Sequence, residues 1–202
     1  MSEDKKKYEL LTTDIKSNLF RIKALKDFGI IKAGDLGGYI ASEENLSQAG
    51  SCWVYGDARV SDNARVFGNA LVYGDARVYG NARVYGNTRV FGNAWVYGDA
   101  QVSDNAWVYG DAQVSDNARV FGYARIFGNA RVYGDTVVTK PVISLINVGK
   151  HNIMITDTHI AIGCENHPIA HWKKNIKKIG LDNGYSEAEI KKTIYLLKGC
   201  GL

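Results

Sequence analysis

The stretch VYGDARVYGNARVYGNTR, Val72–Arg89, decides the fold. It states one six-residue unit three times: an aliphatic residue, an aromatic one, Gly, Asp or Asn, a small residue, then Arg. Extended outward, the aliphatic place recurs every six residues from Val54 to Val138, with Ile126 the sole non-valine. Four residues after each of the first fourteen comes Ala, replaced only by Thr88 and Thr136. A helix turns every 3.6 residues and cannot hold a six-residue phase over this length. An uninterrupted strand alternates at two and would be broken by Gly and Asn at every sixth place. A short strand followed by a corner, repeated, satisfies both constraints. Ala-Arg-Val forms the strand, with Ala and Val inward and Arg outward. Tyr-Gly-Asn forms the corner, because Gly and, less readily, Asn or Asp accept a positive φ. The chain then winds as a solenoid whose strands stack in register.

Units such as VYGDAR, VFGNAL and VYGNAR resemble the hexapeptide repeat of left-handed β-helix proteins. That resemblance implies three hexads to a triangular coil of 18 residues, and it alone carries the left hand, which departs from the usual crossover rule. Where that family often places Gly directly after the aliphatic residue, this chain has Tyr, Phe or Ser, and Gly follows. Most of the chain also resembles proteins of bacteria, phages and prophages. Those join a segment like LFRIKALKDFGIIKAGDLGGYIASEENLSQAG to VYGNAR-type repeats and end in a module like AIGCENHPIAHW. This second likeness implies an architecture and a phage accessory setting, and no activity.

The fold expected is therefore mainly β: a β-solenoid over 51–138, an N-terminal β cap over 1–50, and a C-terminal strand plus two-helix module over 139–202. In the cap, Phe20, Ile22 and Ala24 alternate on one face of a strand, and Gly37-Gly38 supplies a turn. Leu46 lies six before Cys52 in its phase, which places an irregular start of the coil near residue 42. Cys52 itself takes the place of a small inward residue. After Val138 the phase is lost, and Pro141 marks the exit. Ile153/Ile155 and Ile160/Ile162 read as ordinary strands. A helix opening at Pro168 carries Ile169, Trp172, Ile176 and Ile179 on one face and stops at Gly180. A second has a capping box, Ser186 with Glu189, and a stripe of Ile190, Ile194 and Leu197.

Composition narrows the function classes. The chain has 202 residues, 46% hydrophobic and 23% charged, a globular balance with no apolar run long enough to span a membrane. Its net charge of +4 is modest, and the coil carries eight Arg against eight Asp, so a nucleic-acid-binding face is not implied. Three scattered cysteines, Cys52, Cys164 and Cys200, make no disulfide framework and fit a reducing compartment. A cytoplasmic location is expected, or the host cytoplasm for a phage-encoded protein.

With an 18-residue coil the outward side chains fall into rows. One row is Arg59, Arg77, Trp95, Gln113, Arg131; another is Arg65, Arg83, Gln101, Arg119, Val137; the third is Leu71, Arg89, Trp107, Arg125. Rungs about 4.8 Å apart bring these arginines close enough to repel. Neutralisation is expected from the corner aspartates by ion pairing and from Tyr rings by cation–π contact. The candidate binding residues are Arg89, Trp107, Arg125, Arg77 and Trp95.

Hexapeptide-repeat acyltransferases use a His as general base, so an acyltransferase is the alternative function implied by that resemblance. Here all four histidines, His151, His159, His167 and His171, follow the coil, and the coil has no insertion to shape a pocket. His159, Cys164, His167 and His171 are candidate metal ligands through Cys-x-x-His-x-x-x-His, whose fourth ligand would have to be His159 or Cys200. No phosphate-binding loop or dinucleotide fingerprint is present, and no cofactor is expected. The function expected is non-enzymatic binding of a protein partner by a homo-oligomer, dimer or trimer, without a membrane. An anionic ligand or nucleotide is a further partner expectation, and a phage accessory role against a host factor follows from the resemblance.

Overall fold

The structure, a computed structural model, describes residues 6–148 and 151–200, with 143–148 described by their backbone. The chain divides into two compact units, Met1–Pro141 and Val142–Leu202.

The first unit opens with an antiparallel hairpin, β1 (Tyr8–Lys16) and β2 (Leu19–Ala24), followed by β3 (Leu36–Ile40). Two-residue strands then recur every six residues, from β4 (Trp53–Val54) to β18 (Val137–Val138). Each pairs in parallel with the strand 18 residues on: Arg59 lies opposite Arg77, Leu71 opposite Arg89, Arg65 opposite Arg83. Among the described residues these strands form three parallel sheets, the three faces of a solenoid. The backbone ladder runs between coils, as in Tyr55 N–H to Val72 O at 2.8 Å and Leu71 N–H to Thr88 O at 2.9 Å. The Val and Ala places are buried along the whole axis. Thr88 and Thr136 keep that interior dry because their hydroxyls donate to the carbonyls three residues back, Tyr85 O at 2.6 Å and Tyr133 O at 2.7 Å.

Corners form as the unit predicts. Gly80 takes φ +70°, and the Ser-Asp-Asn variants place Asp62, Asp104 and Asp116 in the same left-handed region, at φ +55°, +60° and +55°. These aspartates repay the strain: the carboxylate of each accepts the N–H of the corner below, Gly80, Gly122 and Gly134, each at 3.0 Å. Asn side chains tie successive corners through amide ladders, Asn69 to Asn87 at 3.1 Å and Asn87 to Asn105 at 3.2 Å.

The cap departs from the sequence reading in two ways. Gly37 and Gly38 are not a turn but buried residues of β3. A Cβ on Gly37 would meet Ile22 at 2.4 Å, and one on Gly38 would meet Ala58 O at 2.6 Å, so glycine lets the cap strand lie against the first coil. Leu46 bridges Val66, not a residue in the phase of Cys52. Ile40 likewise pairs with Val60, and both offsets are 20 residues where the coil has 18. Two extra residues before Cys52 thus shift the phase, and β3 is already a rung. Asn45 fixes this irregular coil: its Oδ1 accepts from Ala41 N and Ser42 N, and its Nδ2 donates to Asp62 O and Ala64 O, all at 2.9–3.0 Å. Cys52 is buried as expected, and the buried Lys7 ammonium donates to its carbonyl at 3.0 Å and its sulfur at 3.3 Å. Burial pushes the Lys7 pKa down and the Cys52 pKa up.

The second unit is an antiparallel sheet of β19 (Ile143–Val148), β20 (His151–Ile155), β21 (His159–Ile162) and β22 (Glu165–Pro168), with α1 (Ile169–Asp182) and α2 (Glu187–Gly199). Ile153, Ile155, Ile160, Trp172 and Leu197 form its core, and the Trp172 indole donates to Ile160 O at 2.7 Å. The Ser186–Glu189 capping box is present. Pro168 stands at the N-cap of α1, one place before the first turn. The helix does not stop at Gly180 but runs through it. A Cβ there would meet Ile190 Cγ1 at 2.7 Å, so Gly180 is where α2 comes close; Asn183 and Gly184, φ +72°, end the helix.

Candidate functional site

Strand alternation sends the residue before each Val and the residue after it outward on the same face. On the face of Trp53, Leu71, Arg89, Trp107 and Arg125, the flanking column is Tyr55, Tyr73, Phe91, Tyr109 and Phe127. Trp53 is buried beneath the cap, edge-on to Tyr8 at 6.1 Å and Phe28 at 5.3 Å, so the open part begins at Leu71. Next to it the rings of Tyr73, Phe91 and Tyr109 stack at 4.8 and 4.9 Å, continuing to Phe127 at 5.7 Å. Trp107 lies between Arg89 and Arg125, each guanidinium 5.0 Å from its ring. Phe91 meets Trp107 edge-on at 6.2 Å.

Arg77 and Trp95 belong to a different face. There the Arg77 guanidinium sits 5.2 Å from the Trp95 ring, and Tyr79 stacks on Tyr97 at 5.0 Å. The Ser17-Asn18 hairpin turn overhangs this face and closes a cleft of about 470 Å³ with Arg59, Arg77, Tyr79 and Trp95. The five candidates thus make two clusters, Arg89–Trp107–Arg125 and Arg77–Trp95, on separate faces.

Neutralisation differs from the expectation. Among the described residues no arginine of the coil pairs with a carboxylate. Several corner aspartates are engaged elsewhere, as in Asn81 to Asp99 and Asn93 to Asp111, each at 2.9 Å. Lys16 holds Asp57 at 2.6 Å and keeps its carboxyl below the ordinary range. Indoles take the guanidiniums of Arg77, Arg89 and Arg125 and the Phe121 ring that of Arg119, while the Tyr rings mostly stack on Phe or Tyr rings one coil away. The aromatic column was missed at the sequence level, although its signal is there: Tyr55, Tyr73, Phe91, Tyr109 and Phe127 stand 18 apart.

In the second unit, the Cys/His set does not converge. Among the described residues no three His, Cys, Asp or Glu side chains are placed to hold a metal ion. Cys164 is exposed. His159 Nδ1 lies 2.9 Å from Thr158 Oγ1. His167 and His171 do come together, with rings stacked at 4.5 Å. The partner missed in the sequence is Glu165, two residues before His167 and on the same side of β22. Its Oε2 lies 2.7 Å from His167 Nε2, and that hydrogen bond holds the Glu165 carboxyl below its ordinary value, with help from Asn183. The bond thus joins two side chains of β22.

The regular coil is similar to one family of repeats. Residues 58–98 and 100–139 match the YdcK Beta solenoid repeat. The individual matches cover 58–74, 64–80, 76–90, 82–98, 100–114, 112–126 and 124–139. Both Arg–Trp clusters lie within the YdcK-type repeats, while the cap and the second unit lie outside them. No curated protein matches the chain. No helix among the described residues is long and apolar enough to cross a membrane.

Proposed function

We propose that this protein is a non-enzymatic binding scaffold whose rigid coil holds an acidic segment of a protein partner against the Arg89–Trp107–Arg125 face. The observation that carries this reading is the clasp itself. Two exposed guanidiniums flank one indole, lack a carboxylate partner among the described residues, and border a continuous aromatic column. Arg and Trp are the side chains that most often dominate binding energy, and a stiff support spares the cost of ordering them. An acidic partner supplies the missing counter-charge. Copies of the chain associate as a homo-oligomer away from these rows, because two arginine rows face to face would put like charges together. The likeness of both flanks to phage and prophage proteins supports an accessory role that sequesters a host factor. That Cys52, Cys164 and Cys200 are not joined in disulfides supports a reducing, cytoplasmic setting.

The test is affinity capture from bacterial lysate with the full chain, beside Arg89→Ser/Trp107→Ser/Arg125→Ser. The expected outcome is a partner released by salt, bound at least about tenfold more weakly by the triple variant, with the circular dichroism of the coil unchanged. Arg77→Ser/Trp95→Ser on the other face retains it. Equal capture by the triple variant and the parent refutes the reading.

A further inference from the structure

We propose that the second unit binds a free single-chain fatty acid in the groove between α1 and α2. The groove has a volume of about 330 Å³. Its floor is apolar: Ile160, Trp172, Ile176, Ile194 and Leu197. Its rim is cationic, with Lys173, Lys174 and Lys177 from α1 and Lys198 from α2. Among the described residues none of these lysines makes an ion pair. Lys173 and Lys177 stand four apart, a like-charge spacing that weakens a helix. Lys198 adds a further positive charge from the other helix. An apolar floor under a rim of uncompensated positive charge is complementary to a molecule with an alkyl body and one anionic head.

Size selects the occupant. Ligand pockets run from about 300 to 1,000 Å³, and this groove lies at the small end. A stable protein partner needs about 800 Å² of surface on each side, far more than this groove offers. The carboxylate would sit among the lysines, whose flexible stems bring a compact charge to it, and the chain would lie along Ile176 and Ile194. The site is remote in sequence from the Arg–Trp clusters and does not depend on the function proposed for them.

Isothermal titration of the full chain with decanoate, below its micelle concentration, tests the assignment. One-site binding is expected, weaker by about 15-fold for octanoate, because each methylene removed from the apolar floor costs about fourfold. Decanol and decyltrimethylammonium bind at least about tenfold more weakly than decanoate. Lys173→Glu/Lys177→Glu, both at exposed positions, loses decanoate by at least about tenfold while far-UV circular dichroism stays unchanged. Vesicles of phosphatidylglycerol do not sediment the chain. Any of three results overturns the assignment: no heat with decanoate, equal affinity for decanol, or decanoate affinity unchanged by the charge reversal. Sedimentation with the vesicles overturns it too, by assigning the groove to a membrane surface.

Discussion

Replacing Gly86 by Ala separates the two demands that a solenoid corner makes on its glycine. Gly86 has φ +74°, and a Cβ there would stand 2.7 Å from Asp104 N, 2.9 Å from its O and 3.0 Å from its Cα. Gly128 has φ +60°, and a Cβ there meets nothing within 4 Å. Positive φ costs an alanine about 1–2 kcal/mol, and the stiffer unfolded chain returns about 0.4–1 kcal/mol. Gly128→Ala therefore costs about 1 kcal/mol. Gly86→Ala pays the same and must also push back a stacked backbone, which cannot rotate aside as a side chain can. Opening that corner strains the Asn87 N–H to Asp104 O bond and the Asn87 to Asn105 amide pair. Overpacking costs about 1–3 kcal/mol and each of the two hydrogen bonds, if lost, about 1 kcal/mol, so with the φ cost the total reaches about 4–6 kcal/mol. The coil's own Asp62, Asp104 and Asp116 show that positive φ is tolerated when a side chain accepts the next corner's N–H, which Ala cannot do. Urea titration followed by far-UV circular dichroism reads both variants, compared at matched m because solenoids can lose cooperativity. Equal losses at the two glycines would refute close stacking as the reason for glycine at position 86.

Asn45→Ala should destabilise the first unit by about 3 kcal/mol, since it orphans the Ser42 N–H and two carbonyls at a buried site, the Ala41 N–H keeping Val60 O; urea midpoints check this, and Asn45→Asp, which keeps only the accepting half, should fail to restore it. Acid should weaken the second unit. The Glu165 pKa lies below its ordinary 4.5 when folded, so its contribution is whole above 4.5 and disappears as pH falls through the depressed value. Unfolding midpoints from pH 7 to 3 should show this acid loss in the parent and less of it in Glu165→Gln.

Much of this molecule could be read before its structure. Fifteen aliphatic residues at one spacing left a single consistent backbone, and the burial of Val54 through Val138 follows it place by place. The row Leu71–Arg89–Trp107–Arg125 followed from 18-residue counting. Other features had no local signal. Gly37-Gly38 has the composition of a turn, and only the nearness of Ile22 and Ala58 makes it strand. Gly180 reads as a helix stop until Ile190 is placed against it. The start of the coil was misread because two inserted residues shift Leu46 from one phase to another without changing its hydrophobic character.

The sequence by itself determined the period, the inward and outward places, and which outward residues share a row, because a repeat imposes one local geometry on every unit. Tertiary structure alone decided what each outward charge meets. Corner Asn residues and backbone N–H groups claim several of the aspartates, and Arg77, Arg89 and Arg125 turn to Trp95 and Trp107. That choice rests on competition among neighbours one coil away, and no six-residue unit contains its own competitors.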